Sequence, residues 1–190
     1  MVAFTGAGIS TPSGVPDFRS AGSGLWAQVD PMQAASLTAF RRSPQKFYEW
    51  LHPLVASGAA AQPNPAHLAL ARLEQAGRLQ AVITQNIDNL HQRAGSHNVI
   101  HLHGSLQTCA CPGCQRGFSF GPFEQELIQH HSLPRCPFCS AILKPGITLY
   151  EEMLPAQAWE EASEHALQAD LMLVIGTSLE VSPANHIPLM

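Results

Sequence analysis

The sequence predicts an α/β fold, a doubly wound parallel sheet with a small metal-binding module inserted into it. Three observations predict it. An opening apolar run turns at once into a glycine loop, helical and strand-like segments alternate further on, and one Cys-rich stretch interrupts that alternation.

In chain order, Val2-Ala3-Phe4 followed by Thr5-Gly6-Ala7-Gly8 is the pattern of a buried strand turning sharply into a loop. Residues 11–35 are rich in Pro, Gly, Ser and Ala around Phe18, Leu25 and Trp26, and read as an ordered irregular loop with a little helix. A loop of that length inside a compact domain is usually functional. Pro44 to Val55 reads as a helix with aromatic faces at Phe47, Tyr48 and Trp50. A second helix is capped by Asn64, takes Pro65 at its first position, draws apolar contacts from Leu68, Leu70 and Leu73, and stops at Gly77. Ala81 to Thr84 follows as a strand.

From Cys109 to Cys139 the composition changes to Cys, Pro and Gly around one short helical stretch, Pro122 to His131. That is too little to hold a core unaided. After Pro155, an amphipathic helix through Ala158, Trp159, Ala162, Ala166 and Leu167 leads to a buried strand, Leu171 to Ile175, which ends at Gly176-Thr177-Ser178. The expected division is therefore 1–105 with 144–190 as the sheet domain and 106–143 as the inserted module.

Composition narrows the function classes. With 190 residues, 45% of them hydrophobic and 13% charged, the chain has the apolar material for a sizeable core. The net charge of −4 and the presence of only Lys46 and Lys144 as lysines leave no basic stripe to neutralise phosphates, so nucleic acid is not an expected partner. No apolar run approaches the ~20 residues of a membrane span, and Met1-Val2-Ala3-Phe4 is not a secretory signal. The expectation is a soluble, cytoplasmic protein without a membrane partner. In a reducing compartment, five cysteines gathered between 109 and 139 point to metal instead of disulfides.

Cys111-Pro112-Gly113-Cys114 and Cys136-Pro137-Phe138-Cys139 are two C-x-x-C knuckles with 21 residues between them. Each pair can clamp one metal from a tight turn. Four thiolates suit tetrahedral Zn²⁺ and leave no open coordination position, so the site is expected to be structural. Cys109 is the odd cysteine, read as a small semi-buried neighbour of the site.

Gly6-Ala7-Gly8 after a strand lets the backbone approach a pyrophosphate. Thr11 replaces the third glycine of the dinucleotide fingerprint, and no acidic residue closes a strand about 20 positions later, which disfavours a hydride-transferring dehydrogenase. Thr84-Gln85-Asn86-Ile87-Asp88 lies just past a strand's carboxyl end, where ligands bind in open α/β sheets, and its amides and carboxylate match ribose hydroxyls and a carboxamide. His103 also follows an apolar stretch and titrates in the range of a general base. His101, two positions earlier, points the other way if the segment is a strand.

Taken in order, Gly6-Ala7-Gly8-Ile9-Ser10, Gly14-Val15-Pro16-Asp17-Phe18-Arg19, Thr84-Gln85-Asn86-Ile87-Asp88, His103-Gly104, the paired knuckles, Lys144-Pro145 and Gly176-Thr177-Ser178 resemble the sirtuin family of NAD-dependent protein deacylases over nearly the whole chain. The resemblance implies a Rossmann-like domain with a zinc-ribbon module, an acylated lysine in a protein or peptide as substrate, and nicotinamide, O-acyl-ADP-ribose and free lysine as products. It implies that Gly6, Ala7, Gly8 and Ser10 line the NAD phosphate and ribose site, and that Asp17, Phe18 and Arg19 sit on the loop covering the cofactor. Gln85 and Asn86 then hold the nicotinamide ribose, Ile87 and Asp88 the carboxamide, and Gly176, Thr177 and Ser178 the adenosine side. The resemblance further implies that His103 and Asn86 are catalytic, His103 as base toward a ribose hydroxyl.

The same resemblance places the peptide as an added strand between Ile147–Glu152 and Leu179–Val181. Thr148 offers its carbonyl there, Phe18, Ile147 and Tyr150 wall the acyl tunnel, and Val181 lines the opposite segment. Tyr150-Glu151-Glu152 stands where the family usually has Phe-Gly-Glu, which sets a carboxylate beside the peptide backbone and either favours basic peptides or weakens docking. Leu51 and Leu54 match positions where dicarboxylate-removing members carry Tyr and Arg, so an apolar tunnel for acetyl or longer fatty acyl groups is expected. Relative to the family domain, the chain is expected to be short at both ends, with an exposed sheet edge. Two other readings share the same residues: an NAD-dependent ADP-ribosyltransferase, and a catalytically weak acyl-lysine binding module.

Overall fold

The computed structural model describes residues 1–20, 24–27 and 29–190. The long loop expected over 11–35 includes 21–23 and 28, which lie outside the described residues. Four strands, β1 (Val2–Thr5), β2 (Ala81–Thr84), β3 (Val99–His101) and β7 (Met172–Ile175), form a parallel sheet in the order β3-β2-β1-β7. Strands β1 and β2 are buried along their whole length, as expected of parallel strands covered on both faces. Alternate residues serve opposite layers. Phe4, Ile83 and Ile100 pack with Ala162 and Ala166 of helix α7 (Ala156–Leu167), while Ala3 and Val82 pack with Leu70 of α4 (Pro65–Gln75) and with Leu79.

The expected helix after Asn64 forms as α4, with the Asn64 side chain accepting from the Ala66 N–H and His67 completing a capping box. Its inward stripe is His67, Leu70 and Ala71, at i, i+3 and i+4, which leaves Leu68 39% exposed instead of in the core. The last strand also differs from expectation. Among the described residues β7 lies at the sheet edge, paired only with β1, so Val174 is 44% exposed where a buried strand was expected.

The chain enters the inserted module at Gly104, whose φ is +70° and whose missing Cβ lets the Gly146 carbonyl approach. Strand β4 (Gly104–Ala110) pairs antiparallel with β5 (Gly117–Ser119) on one side and β6 (Lys144–Ile147) on the other. These strands reach beyond both limits of the Cys-rich stretch. The core that stretch could not build alone is supplied by α3 (Pro44–Ala60), preceded by α1 (Pro31–Ala34) and α2 (Leu37–Arg42) and running past Val55 through Ala-rich turns. Phe47, Tyr48 and Leu51 of α3 pack with Cys109, Phe120, Leu143 and Leu127, the last from α6 (Gly121–His130). The Tyr48 hydroxyl donates to the Leu143 carbonyl at 2.6 Å.

Candidate functional site

The carboxyl ends of all four parallel strands open into one crevice of about 910 Å³. β1 delivers Gly6, Ala7 and Gly8, β2 delivers Gln85 to Asp88, His103 follows β3 by two residues, and β7 delivers Gly176 to Ser178. The glycines face each other where β2 and β7 flank β1 on opposite sides, the switch point at which open α/β sheets bind ligands. There the Gly6 N–H donates to the Ile175 carbonyl at 3.0 Å and the Gly8 N–H to the Gly176 carbonyl at 2.8 Å. A Cβ on Gly8 would stand 2.9 Å from the Gly176 Cα, so no other residue fits without moving the hairpin.

Asn86 is nearly buried, and its amide is fixed by donation to the Gly6 carbonyl at 3.2 Å and to Ser10 Oγ at 3.1 Å. Because the Gly6 carbonyl can only accept, the amide nitrogen must face it. Gln85 donates to Thr177 Oγ1 at 2.9 Å, which joins β2 to β7 across the crevice floor. Asp88 accepts from Ser10 Oγ at 2.6 Å and from the Leu90 N–H, opening α5 (Leu90–Arg93), at 3.0 Å.

Ser10 departs from its expected place. Its hydroxyl is fully buried and does not line the crevice, because it lies beneath Asn86 and Asp88 and holds both of them. The remaining expected residues, Asp17, Phe18, Arg19, Ile87, Ile147, Thr148, Tyr150 and Val181 included, all line the crevice.

His103 Nδ1 lies 3.0 Å from the Gln85 carbonyl, an acceptor that requires the proton on Nδ1 and leaves Nε2 with its lone pair. Burial pushes its pKa below the ordinary imidazole value against the opposing pull of that carbonyl, and Arg19 lowers it further. Neutral His103 at physiological pH is the base form. His101 does turn away, although the strand ends there: it contacts Gln92 and the Asn86 carbonyl and does not reach the crevice.

The covering loop spends several side chains on itself. Asp17 accepts from the Ser20 hydroxyl at 2.5 Å and from the Ser20 and Arg19 amides, and these bonds hold its carboxyl below the usual range, led by the Ser20 hydroxyl. Arg19 reaches Glu180 at 3.4 Å and the Tyr150 hydroxyl at 3.4 Å. Sequence reading missed the aromatic wall that continues from Phe18: Trp26 packs at 5.1 Å from Phe18 and stacks at 5.8 Å on Trp50. Leu54 lines the crevice as expected, whereas Leu51 points into the core of the inserted module, one helical turn away.

Sequence reading also missed a buried polar layer beneath the crevice. Thr5, Thr84, His67 and His91 are all at most 1% exposed, with His91 Nε2 3.0 Å from Thr5 Oγ1. Burial first, then His67 and His101, push the His91 pKa down to about 3, and burial lowers those of His67 and His101 as well. Below the unfolded imidazole pKa the unfolded chain binds these protons and the folded chain does not. Stability is therefore fully present above about pH 6.5 and falls as pH drops toward 3, with His91 alone costing about 2 kcal/mol at pH 5. Thermal melts should show Tm decreasing from pH 7 to pH 5; a flat Tm over that range would contradict the buried neutral histidines.

In the inserted module, the sulfurs of Cys111, Cys114, Cys136 and Cys139 lie within 4.8 Å of one another. Cys111 to Cys139 is 3.3 Å and Cys114 to Cys136 is 3.6 Å, close to the ~3.8 Å edge of a tetrahedron with zinc–sulfur bonds of about 2.3 Å. The donor set fits Zn²⁺. Cys109 is outside it, buried, with its thiol raised to about 11 by desolvation and its Sγ near the Phe118 carbonyl.

The Sir2 family pattern matches residues 6–183. The chain belongs to the Sir2 family. It is 42% identical to NAD-dependent protein deacetylase 2 of Caldanaerobacter subterraneus over 97% of this chain and 73% of that protein. It is also 42% identical to NAD-dependent protein deacylase 1 of Archaeoglobus fulgidus over 100% of this chain and 76% of that protein. Among solved structures, this Sir2 chain resembles a Sir2 homolog–NAD complex with a TM-score of 0.86 at 42% identity, covering 99% of this chain and 72% of that one. A Sir2 enzyme bound to a propionylated peptide matches with a TM-score of 0.86 at 40% identity, over 99% of this chain and 74% of the other. No described helix is long and apolar enough to cross a membrane.

Proposed function

We propose that this protein removes acetyl and longer apolar acyl groups from protein lysine side chains, consuming NAD and releasing nicotinamide, O-acyl-ADP-ribose and free lysine. The observation that carries the reading is the single crevice in which the glycine hairpin, the fixed Asn86 amide and the neutral His103 imidazole converge at the carboxyl edge of the sheet. The named activities of the relatives agree with it.

Bound NAD supplies an electrophilic ribose carbon once nicotinamide departs. Toward it, Gly6, Ala7 and Gly8 present backbone without side-chain obstruction to the phosphates, and Gly176, Thr177 and Ser178 take the adenosine side. Gln85 and Asn86 orient the nicotinamide ribose, and Ile87 and Asp88 the carboxamide. Ser10 acts from behind, holding Asn86 and Asp88 in place. Phe18 excludes water above the ribose, Asp17 shapes the loop that carries it, and Arg19 ties that loop to the peptide-binding segments. His103 Nε2 would take a ribose hydroxyl proton, so that this oxygen bonds to the acyl carbon while the acyl carbon–lysine nitrogen bond breaks and free lysine leaves. The four-cysteine zinc keeps the inserted module, within the proposed limits 106–143, folded against the domain formed by 1–105 and 144–190.

Incubation with NAD and an acetyl-lysine peptide tests the reading. Mass spectrometry should find the acetyl group on ADP-ribose; ADP-ribose attached to the peptide instead would assign a transferase. The acyl end of the crevice is walled by Trp26, Trp50, Leu54, Val55 and Ile147. Among the described residues the cation on that side is Arg93, which is exposed, donates to the Gly58 carbonyl and lies within electrostatic reach of Glu124. A carboxylate buried against that apolar wall is costly to desolvate, so succinyl removal should run at least about tenfold slower than acetyl removal from one peptide. Faster succinyl turnover would contradict the apolar assignment.

A further inference from the structure

Glu151 adopts a φ of +75°, a left-handed conformation that ordinary side chains disfavour. The Glu151 carboxylate is tied to Thr38, through both its side chain and its backbone. Glu151 Oε2 accepts from the Thr38 N–H at 2.8 Å, an amide of the first turn of α2 that has no partner inside its own helix. Thus the carboxylate of a residue that lines the crevice is held against the start of α2. The adjoining residue is tied to the same layer: Tyr150 donates to the Ala35 carbonyl at 3.0 Å and accepts from the Leu37 N–H at 3.0 Å. Glu152 is tied inward, accepting from Lys144 at 2.9 Å and from the Leu149 N–H at 2.9 Å.

These ties consume the Leu149 and Tyr150 backbone groups and the carboxylates of Glu151 and Glu152. The Thr148 carbonyl and the Glu151 backbone N–H and carbonyl have no partner among the described residues. They are the groups an added peptide strand needs. The backbone angle at residue 151 sets their direction, and the Thr38 contact holds that angle.

We propose that Glu151 is a positioning residue for acyl-peptide docking, acting through its tie to Thr38 to fix the groove wall, and not through its charge. Arg41 and Arg42 lie near enough to offset that charge, and the Thr38 bond holds the carboxyl below its usual range. The proposal rests on the deacylase reading and deepens it by naming what shapes the peptide groove.

The test compares the chain with its Glu151→Gly, Glu151→Ala and Glu151→Gln variants, using one fluorescent acetyl-lysine peptide. Anisotropy gives peptide Kd, steady-state assays give both KM values and kcat, and thermal melts report folding. Glycine tolerates the backbone angle, so Glu151→Gly stays folded while losing the tie. We expect it to raise peptide Kd and KM about 3- to 10-fold, with NAD KM and kcat within about twofold. Glu151→Ala should do the same or worse, and Glu151→Gln, which keeps an oxygen for Thr38, should stay close to the parent. Peptide binding unchanged in Glu151→Gly, a Glu151→Gln variant as impaired as Glu151→Gly, or peptide and NAD constants shifting together would each overturn the proposal. Absence of nicotinamide release from the parent chain would overturn the deacylase reading instead, while anisotropy still reads the groove.

Discussion

His103→Ala should lower deacylation by roughly 10²- to 10⁴-fold, the usual worth of a general base, while NAD binding and much of nicotinamide exchange persist. The split follows from where the imidazole sits. His103 contacts the Gln85 backbone carbonyl and not the Asn86 or Gln85 side chain, so its removal leaves the ribose cradle intact and takes away only the proton acceptor. Calorimetric NAD titration, labelled-nicotinamide exchange and acetyl release measured on the same variant check this. Exchange and deacylation falling equally would move His103 from base to structural support, and a fully active variant would remove it from the mechanism. The parent enzyme adds an independent check. Because burial lowers the His103 pKa, the acid limb of its kcat/KM profile should have its midpoint below about 6.5, and this limb should vanish in the variant.

Removal of zinc is expected to be the second large effect. Apparent binding energies of structural zinc, about 10–16 kcal/mol, match or exceed the ~5–15 kcal/mol that holds a typical domain together. The four sulfurs join the turn after β4 to the segment leading into β6, and β6 ends at Ile147, a wall of the crevice. Chelation, or Cys111→Ser, should therefore release Leu143 from Phe120 and Tyr48, unseat Ile147 and Thr148, and abolish activity together with a drop in Tm. Cys109→Ser should retain one equivalent of zinc and most activity, since that sulfur lies outside the cluster. Metal analysis and thermal melts on both variants decide the matter, and an active, unshifted Cys111→Ser protein would show that the module stands without its metal.

Much of this was legible locally. The strand-to-glycine turn at Val2–Gly8, the Asn64 cap and the paired knuckles each rest on short-range rules of backbone freedom, capping and ligand spacing, which act within a few residues. What was misjudged required knowledge of neighbours. Leu68 and His67 differ by one position on a helix whose inward face is chosen by the sheet, and Val174 is exposed because of where its strand falls in the order. The aromatic wall of Trp26 and Trp50 joins residues from separate elements, so no spacing in the chain announces it.

By itself the sequence determined which residues can turn, cap, ligate zinc and carry protons, because those capacities belong to side chains and their immediate backbone. Only the tertiary structure decided which of them share a cavity. Parallel pairing sets the ends of β1, β2, β3 and β7 side by side, so that Gly8, Asn86, His103 and Gly176 meet there while Ser10 sinks beneath them. It also gave Glu151 a partner 113 residues away, an interaction that depends on packing and on no pattern in the chain.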